Sequence, residues 1–254
     1  MTALAAALDQ PGLGWLVLAA LLAGAVRGFA GFGSGLVFMP FAGAVLAPAE
    51  AVVALVVMDV LGPLPNIPAA IRTGDPREIG RLAAGMVFGL PLGLAALVWV
   101  APEAFRWAVS VLALATVAAL VSGWAWRGGR GRAATAGAGF LSGVVGGATG
   151  LPGPPVILYY IASAMPPAQV RANLTMFLVA VDLALVVLLG ATGQYGAAAV
   201  ATGLMLLIPF SLANAAGSRL FQPGRVRAYR AVALTLIAAA AVAGLPVWAG
   251  QGTG

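Results

Sequence analysis

The chain has 254 residues, 62% of them hydrophobic and only 8% charged, with a mean hydropathy of +1.03. Soluble domains carry about 25% charged residues, so this chain could not cover a water-facing surface. An all-α integral membrane protein follows, because apolar runs such as AVVALVVMDVLG (51–62) lack the period-2 alternation of a transmembrane barrel. All 13 basic residues are arginine, giving a net charge of +6. They gather in short loops, where they set topology, and no nucleic acid is expected as a partner. The absence of Cys and His removes thiolate and imidazole chemistry, so neither an enzyme, nor a metal site, nor any other cofactor is expected.

The first 12 residues lack a basic n-region, so no cleavable signal peptide is expected. Hydrophobic segments then run over 13–46, 49–71, 79–100, 104–126, 133–164, 167–191, 196–218 and 228–249, each bounded by Pro, Gly or charge. Six of them have about the 20 residues that cross a bilayer core. Segments 13–46 and 133–164 are too long for one span and short for two. Each is interrupted midway by glycine, in GAVRGFAGFGSG (24–35) and GVVGGATGLPGPP (143–155).

These interruptions align at an offset of 119 residues. Gly24, Gly28 and Gly31 fall on Gly143, Gly147 and Gly150; Pro48 falls on Pro167, and Thr73-Gly74 on Thr192-Gly193. Spaced Gly and Pro rarely coincide by chance, so the chain reads as two repeats in one membrane domain. Residues 1–126 form the first repeat, 127–132 (RGGRGR) a basic linker, and 133–254 the second. Arginines concentrate in 72–81, in the linker and in 219–230, which positive-inside places in the cytoplasm. Both ends of segment 133–164 then lie on one side. Each glycine-broken segment becomes a hairpin or re-entrant helix, and three further spans per repeat make the repeats inverted. Both termini are expected in the periplasm.

Inverted repeats with broken helices are a plan of secondary transporters, with the site near the midplane. Non-helical backbone inside a bilayer must be buried in protein or line a cavity. The turn glycines Gly31, Gly33, Gly150 and Gly153 would leave helix-start N–H groups facing an anion. Phe32 lies in the same turn, and Ser34 and Thr149 could add hydroxyls. Gly24, Gly28, Gly143 and Gly147 serve either this purpose or close helix packing. Arg27 is either a forked oxyanion donor, a structural partner of Asp59 or Asp182, or a snorkelling side chain. Asp59 and Asp182, both mid-span, are counter-ions or proton-coupling sites. Asn66, Asn173 and Asn214 are site donors or interhelical hydrogen bonds, and one of Tyr159 and Tyr160 faces the pathway.

GFAGFGSGLVFMP early in the chain, echoed by GGATGLPGPPVILYY after a basic linker, resembles the sulfite exporter TauE/SafE (TSUP) family. PPAQVRANLT, opening segment 167–191, is similar to that family's second-repeat pattern. The resemblance implies a small permease of the bacterial inner membrane that moves sulfite, sulfonates or related anions. The expected partners are a small anionic substrate and the lipid bilayer, with coupling to protons; a homo-oligomer is left open. No Walker motif is present, so ATP is not expected as the direct energy source. A passive anion channel and a membrane scaffold or accessory subunit remain alternatives.

Overall fold

The computed structural model describes residues 3–124, 131–161, 163, 165–220 and 226–248. Linker residues 127–130, with Arg127 and Arg130, and the chain ends lie outside them, as does Arg225. Among the described residues all regular structure is helical. A short α1 (Ala3–Leu8) precedes α2 (Leu13–Ala30) and α3 (Ser34–Val45), which flank the first glycine turn. Next come α4 (Pro48–Leu61), α5 (Ile67–Thr73), α6 (Pro76–Trp99) and α7 (Pro102–Ser122). The second half holds α8 (Arg132–Thr149) and α9 (Gly153–Ile161) around the second turn, then α10 (Pro167–Ala191), α11 (Ala197–Leu220) and α12 (Val226–Gly244).

Helix boundaries follow local chemistry. Proline opens α4, α6, α7 and α10, where its missing N–H is an orphan in any case. Asp75 caps α6 by accepting from the amides of Arg77 (2.9 Å) and Glu78 (3.3 Å). Segment 49–71, expected as one helix, is instead broken. α4 ends at Leu61, a 3₁₀ turn covers Leu64–Asn66, and α5 begins at Ile67. Pro63, Pro65 and Pro68 remove three ladder donors within six residues, and a continuous α-helix does not survive that.

Among the described residues six stretches are long and apolar enough to cross a membrane: α2, α4 with α5, α6, α7, α10 and α11. The segment expected over 228–249 is helical as α12, Val226–Gly244. Large apolar side chains such as Phe88, Val187, Ile208 and Leu212 stand exposed mid-helix, as lipid-facing positions do.

Both glycine-broken segments fold back on themselves. Gln10, just before α2, donates to the carbonyl of Val45 at the end of α3 (3.4 Å), and a Cβ on Gly12 would lie 3.0 Å from the Val45 side chain. In the second half, Thr135 at the start of α8 hydrogen-bonds Tyr159 near the end of α9 (2.8 Å). The two turns meet: a Cβ on Gly35 would lie 2.8 Å from the Gly150 carbonyl oxygen.

Backbone-to-backbone helix packing grips each hairpin. Gly24 and Gly28 on α2 lie against the α11 backbone at Phe210 and Asn214. Gly85, Gly89 and Gly93 on α6 interleave with Gly139, Gly143 and Gly147 on α8. Both pairs run parallel, because residue numbers rise together along each seam. The four glycines Gly24, Gly28, Gly143 and Gly147 are thus packing notches, and small residues at such seams let the backbones approach. The partner exchange is reciprocal: the first-half hairpin packs on a second-half helix, and the second-half hairpin on a first-half helix. α10 runs antiparallel to α4 and α5. Asn173, near its start, accepts from the Asp75 amide just beyond α5 (2.7 Å), while Asp182 lies deeper, on the level of Asp59.

A side chain in a glycine seam must push two backbones apart. Gly143→Leu, whose Cβ would lie 2.6 Å from the Met86 carbonyl oxygen, is expected to cost about 1–3 kcal/mol or more from overpacking. Gly80→Ala, with nothing within 4 Å of its Cβ, should leave stability unchanged or raise it by up to about 1 kcal/mol through helix propensity. Thermal melts in detergent compare the two, and equal melting temperatures would show that the seam tolerates expansion.

Candidate functional site

The first turn is made by backbone that side chains resist. Gly31 (φ +80°) ends α2 by donating its amide to the Arg27 carbonyl (2.8 Å), and Gly33 (φ +96°) starts α3. Gly150 (φ +71°) ends α8 in the same left-handed conformation. Only glycine takes these angles without a steric penalty. A small cavity of about 20 Å³ lies where the turns meet, room for about one water. Gly33, Ser34, Gly35 and Leu36 line it from the start of α3; Gly150, Leu151, Pro152 and Gly153 line it from the second turn. Arg27, Asp59, Asp182, Leu55 and Leu178 complete the wall.

The start of α3 is the richer in donors. Its first amides have no intrahelical acceptor by geometry, and they border this cavity. At the start of α9, Pro154 and Pro155 carry no N–H, so the second turn contributes fewer donors than the first.

Arg27, Asp59 and Asp182 are 3–4% exposed. Nη1 of Arg27 stands 3.2 Å from Oδ2 of Asp59, and Nη2 stands 3.9 Å from Oδ2 of Asp182. Ser34 bridges the closer pair: its Oγ donates to Asp59 Oδ2 (2.6 Å) and accepts from Arg27 Nη1 (3.4 Å). Fully ionised, one guanidinium and two carboxylates sum to −1. Nε and Nη2 of Arg27, Oδ1 of Asp59 and Oδ2 of Asp182 have no hydrogen-bond partner among the described residues. Buried polar atoms are rarely left so, and here four of them belong to three charged groups around one small cavity.

The turns therefore bring together Arg27, Gly33, Ser34, Gly150, Gly153, Asp59 and Asp182. Gly31, Phe32, Thr149, Tyr159 and Asn173 do not line this cavity. The aliphatic stem of Arg171 packs where a Cβ on Gly31 would fall. Phe32 faces a different cavity. Thr149 is spent locally, donating to the Val145 carbonyl (2.7 Å) and accepting from the Leu151 amide (3.3 Å). Tyr159 sits with Thr135 and, more loosely, Glu78 (3.5 Å). Asn173 ties helices together, accepting from Asp75 and donating to the Tyr160 hydroxyl (3.2 Å). Asn66 and Asn214 are likewise interhelical: Asn66 accepts from Ser218 (3.2 Å), and Asn214 donates to the Gly62 carbonyl (2.9 Å).

Sequence reasoning missed Leu55 and Leu178, apolar residues in a chain full of them. It also missed the partition of the polar residues between this cavity and a neighbouring one that holds Phe32, Tyr160, Arg171 and Arg230. No curated protein and no solved structure matches the chain significantly. The sulfite exporter TauE/SafE family matches residues 16–244, from within α2 to the last residue of α12, so that both hairpins, both turns and the charged trio fall inside the matched region. The chain belongs to the sulfite exporter TauE/SafE family.

Proposed function

We propose that this chain is a secondary transporter that exports a small sulfur-containing oxyanion, sulfite or an organosulfonate, through the site between its two glycine turns. Membership in a transporter family already makes it a multi-pass membrane protein with a small anionic substrate, and not an enzyme. The observation that carries the finer reading is the convergence of both turns on one buried cavity holding Arg27 between Asp59 and Asp182. An ionised trio at −1 repels an anion. One proton brings it to zero, and a second to +1. The anion therefore loads together with protons, taking over the guanidinium donors and the α3 amides from the carboxyls. Asp182 is the coupling group in this reading, since Asp59 keeps Ser34 and the shorter contact to Arg27. Net flow follows the sum of the two gradients, so anion leaves and carries its proton outward once its outward gradient exceeds any inward gradient of protons.

Inverted repeats give such a site its two exits. Two observations support them: equivalent elements α4–α5 and α10 run antiparallel, and each half's hairpin packs on the other half's helix. The arginine-rich loops support an orientation in a bacterial inner membrane with residues 127–132 in the cytoplasm and both termini in the periplasm.

Removing the cation leaves two buried carboxyls unpaired. Arg27→Gln is expected to cost about 3–5 kcal/mol, and adding Asp59→Asn should restore part of it. Melting curves in detergent that coincide for wild type and Arg27→Gln would show the trio to be energetically idle.

Proteoliposomes loaded with the pure protein test coupling. With only a pH difference imposed, wild type should concentrate radiolabelled sulfite and methanesulfonate, the latter an anion at every pH used. Asp182→Asn should equilibrate them without concentrating them. An Asn variant that still works uphill removes Asp182 from the coupling step, and wild-type flux indifferent to the gradient makes the protein a channel.

Topology is read with single cysteines at Ala3, Gly129 and Thr253 and an impermeant thiol reagent on whole cells. The two terminal positions should label and Gly129 should not; the reverse pattern inverts the orientation.

A further inference from the structure

α5, the start of α10 and the end of α11 line a further cavity of about 260 Å³. Its wall is made of small and hydroxylated side chains: Asn66 and Thr73, Thr175 on α10 and Ser218 on α11, with alanines between them. It holds no aromatic ring, and among the described residues Arg171 is its one charged group, engaged by the Gly28 carbonyl. A hydrocarbon finds little to pack on here beyond methyl groups and Pro65. Water finds hydroxyls and an amide.

The polar positions continue toward the ion trio. Thr73, Asn66 and Asp59 stand seven residues apart across the α4–α5 break, and on α10 Thr175 stands seven residues, two turns, before Asp182. Two turns rise about 10 Å, and Asn214 occupies that interval. Asn214 is 1% exposed and lies one turn before Ser218 on α11. Its backbone packs on Gly28, the residue after Arg27, and its side chain donates to the carbonyl of Gly62, three residues beyond Asp59 (2.9 Å). Its Oδ1 has no hydrogen-bond partner among the described residues. An amide oxygen buried at that depth calls for a donor, and water from a polar cavity one turn away is the donor at hand. Pro63 has no N–H for the Asp59 carbonyl four residues back, which leaves a further acceptor without its intrahelical donor.

We infer that this cavity is a water-filled vestibule and that Asn214 holds the water joining it to the trio, so that protons reach Asp59 and Asp182 from the side where α5 ends and α10 begins. The charged groups along this route are Arg171 in the vestibule wall and, beyond Asn214, Arg27 with the two aspartates. Proton delivery rests on the transport reading, whereas the water-filled vestibule does not. Exchange of one anion for another can keep the proton on the protein. Net flux must take the proton up on one side and release it on the other, so the two modes separate this route from the anion site.

The chain has no cysteine, so single cysteines report where water reaches: a thiol reacts through its thiolate, which an apolar environment suppresses. In membranes, Ala172→Cys in the vestibule wall should react with N-ethylmaleimide at least tenfold faster than Val187→Cys, 69% exposed at a lipid-facing position of the same helix. Equal rates overturn the vestibule. In proteoliposomes, Asn214→Leu and Ala172→Leu should each reduce pH-driven accumulation of labelled sulfite or methanesulfonate at least tenfold, while exchange of labelled for unlabelled anion at equal pH stays within twofold of wild type. Should Asn214→Leu not fold, Ala172→Leu and Thr175→Val are read in its place. Undiminished accumulation in variants that exchange normally overturns the proton route. Loss of both modes together makes the cavity a passage for the anion or part of the moving machinery, and overturns it as well. Fast labelling of Ala172→Cys with wild-type flux indifferent to the pH difference overturns the proton coupling of the transport reading and leaves the vestibule standing.

Discussion

Arg27 meets Asp59 at 3.2 Å and Asp182 at 3.9 Å in the interior of the bundle, where an uncompensated charge is costly. The three groups come from α2, α4 and α10. Their contact survives only while those helices keep their relative depth, so the pairing acts on the register of the whole bundle. The pairing is also incomplete. One guanidinium cannot neutralise two carboxylates, and several of their atoms have no hydrogen-bond partner among the described residues. A bundle made only for stability would do better with apolar residues of similar volume. The surplus carboxyl is therefore the feature that calls for a function, and proton-linked loading of an anion supplies one.

The rest of the fold reads as the means of holding that trio beside two helix breaks. A turn inside a membrane exposes backbone groups that nothing apolar can satisfy. The turn at Gly31–Gly33 meets the condition by closing the end of α2 onto the Arg27 carbonyl and by abutting the second turn at Gly150. Neither hairpin is held mainly by its own two arms. Glycine seams clamp α2 to α11 and α8 to α6 at backbone contact, and dispersion between close backbones replaces the hydrophobic drive that lipid does not provide. The seams are parallel and exchanged between the halves, so each turn is presented by one half and braced by the other.

What the sequence made legible were residues whose presence in a membrane has few explanations. Glycines that break an apolar segment, one intramembrane arginine and two mid-span aspartates stood out by cost, and the fold gathers Arg27, Asp59, Asp182, Gly33, Ser34, Gly150 and Gly153 at one cavity. Polar residues with cheap local or interhelical partners were not separable in the same way. Thr149 back-bonds to its own helix, and Asn173 clamps α10 to the α5–α6 junction. Both look in the sequence like site donors. The break at Leu61–Ile67 was written in three prolines, yet hydropathy alone ran through it. Arg171 and Arg230 were hidden for the opposite reason: near span ends, arginine has an ordinary topological explanation, and only packing shows that these two face an apolar cavity.

The order of charge along the path follows from this geometry. Where α10 and α12 begin, one cavity wall holds two guanidiniums and, among the described residues, no carboxyl; the adjoining cavity holds one guanidinium outnumbered by carboxyls. The lining with Arg171 and Arg230 carries positive charge that no carboxylate among the described residues offsets; the trio stops repelling an anion once one carboxyl has been neutralised and attracts it by net charge only at the second proton. Phe32 and Leu174 lie at the junction, one on the first turn and one on α10. In the transport reading proposed above, passage between the two cavities involves both a proton at the trio and the turn that carries Phe32. The glycines on either side of that phenylalanine are the positions in the first half that hold left-handed backbone inside the bundle. Arg27, Phe32 and Ser34 therefore share one short stretch, and a displacement of the turn would also disturb the ion trio through the hydrogen bonds of Ser34.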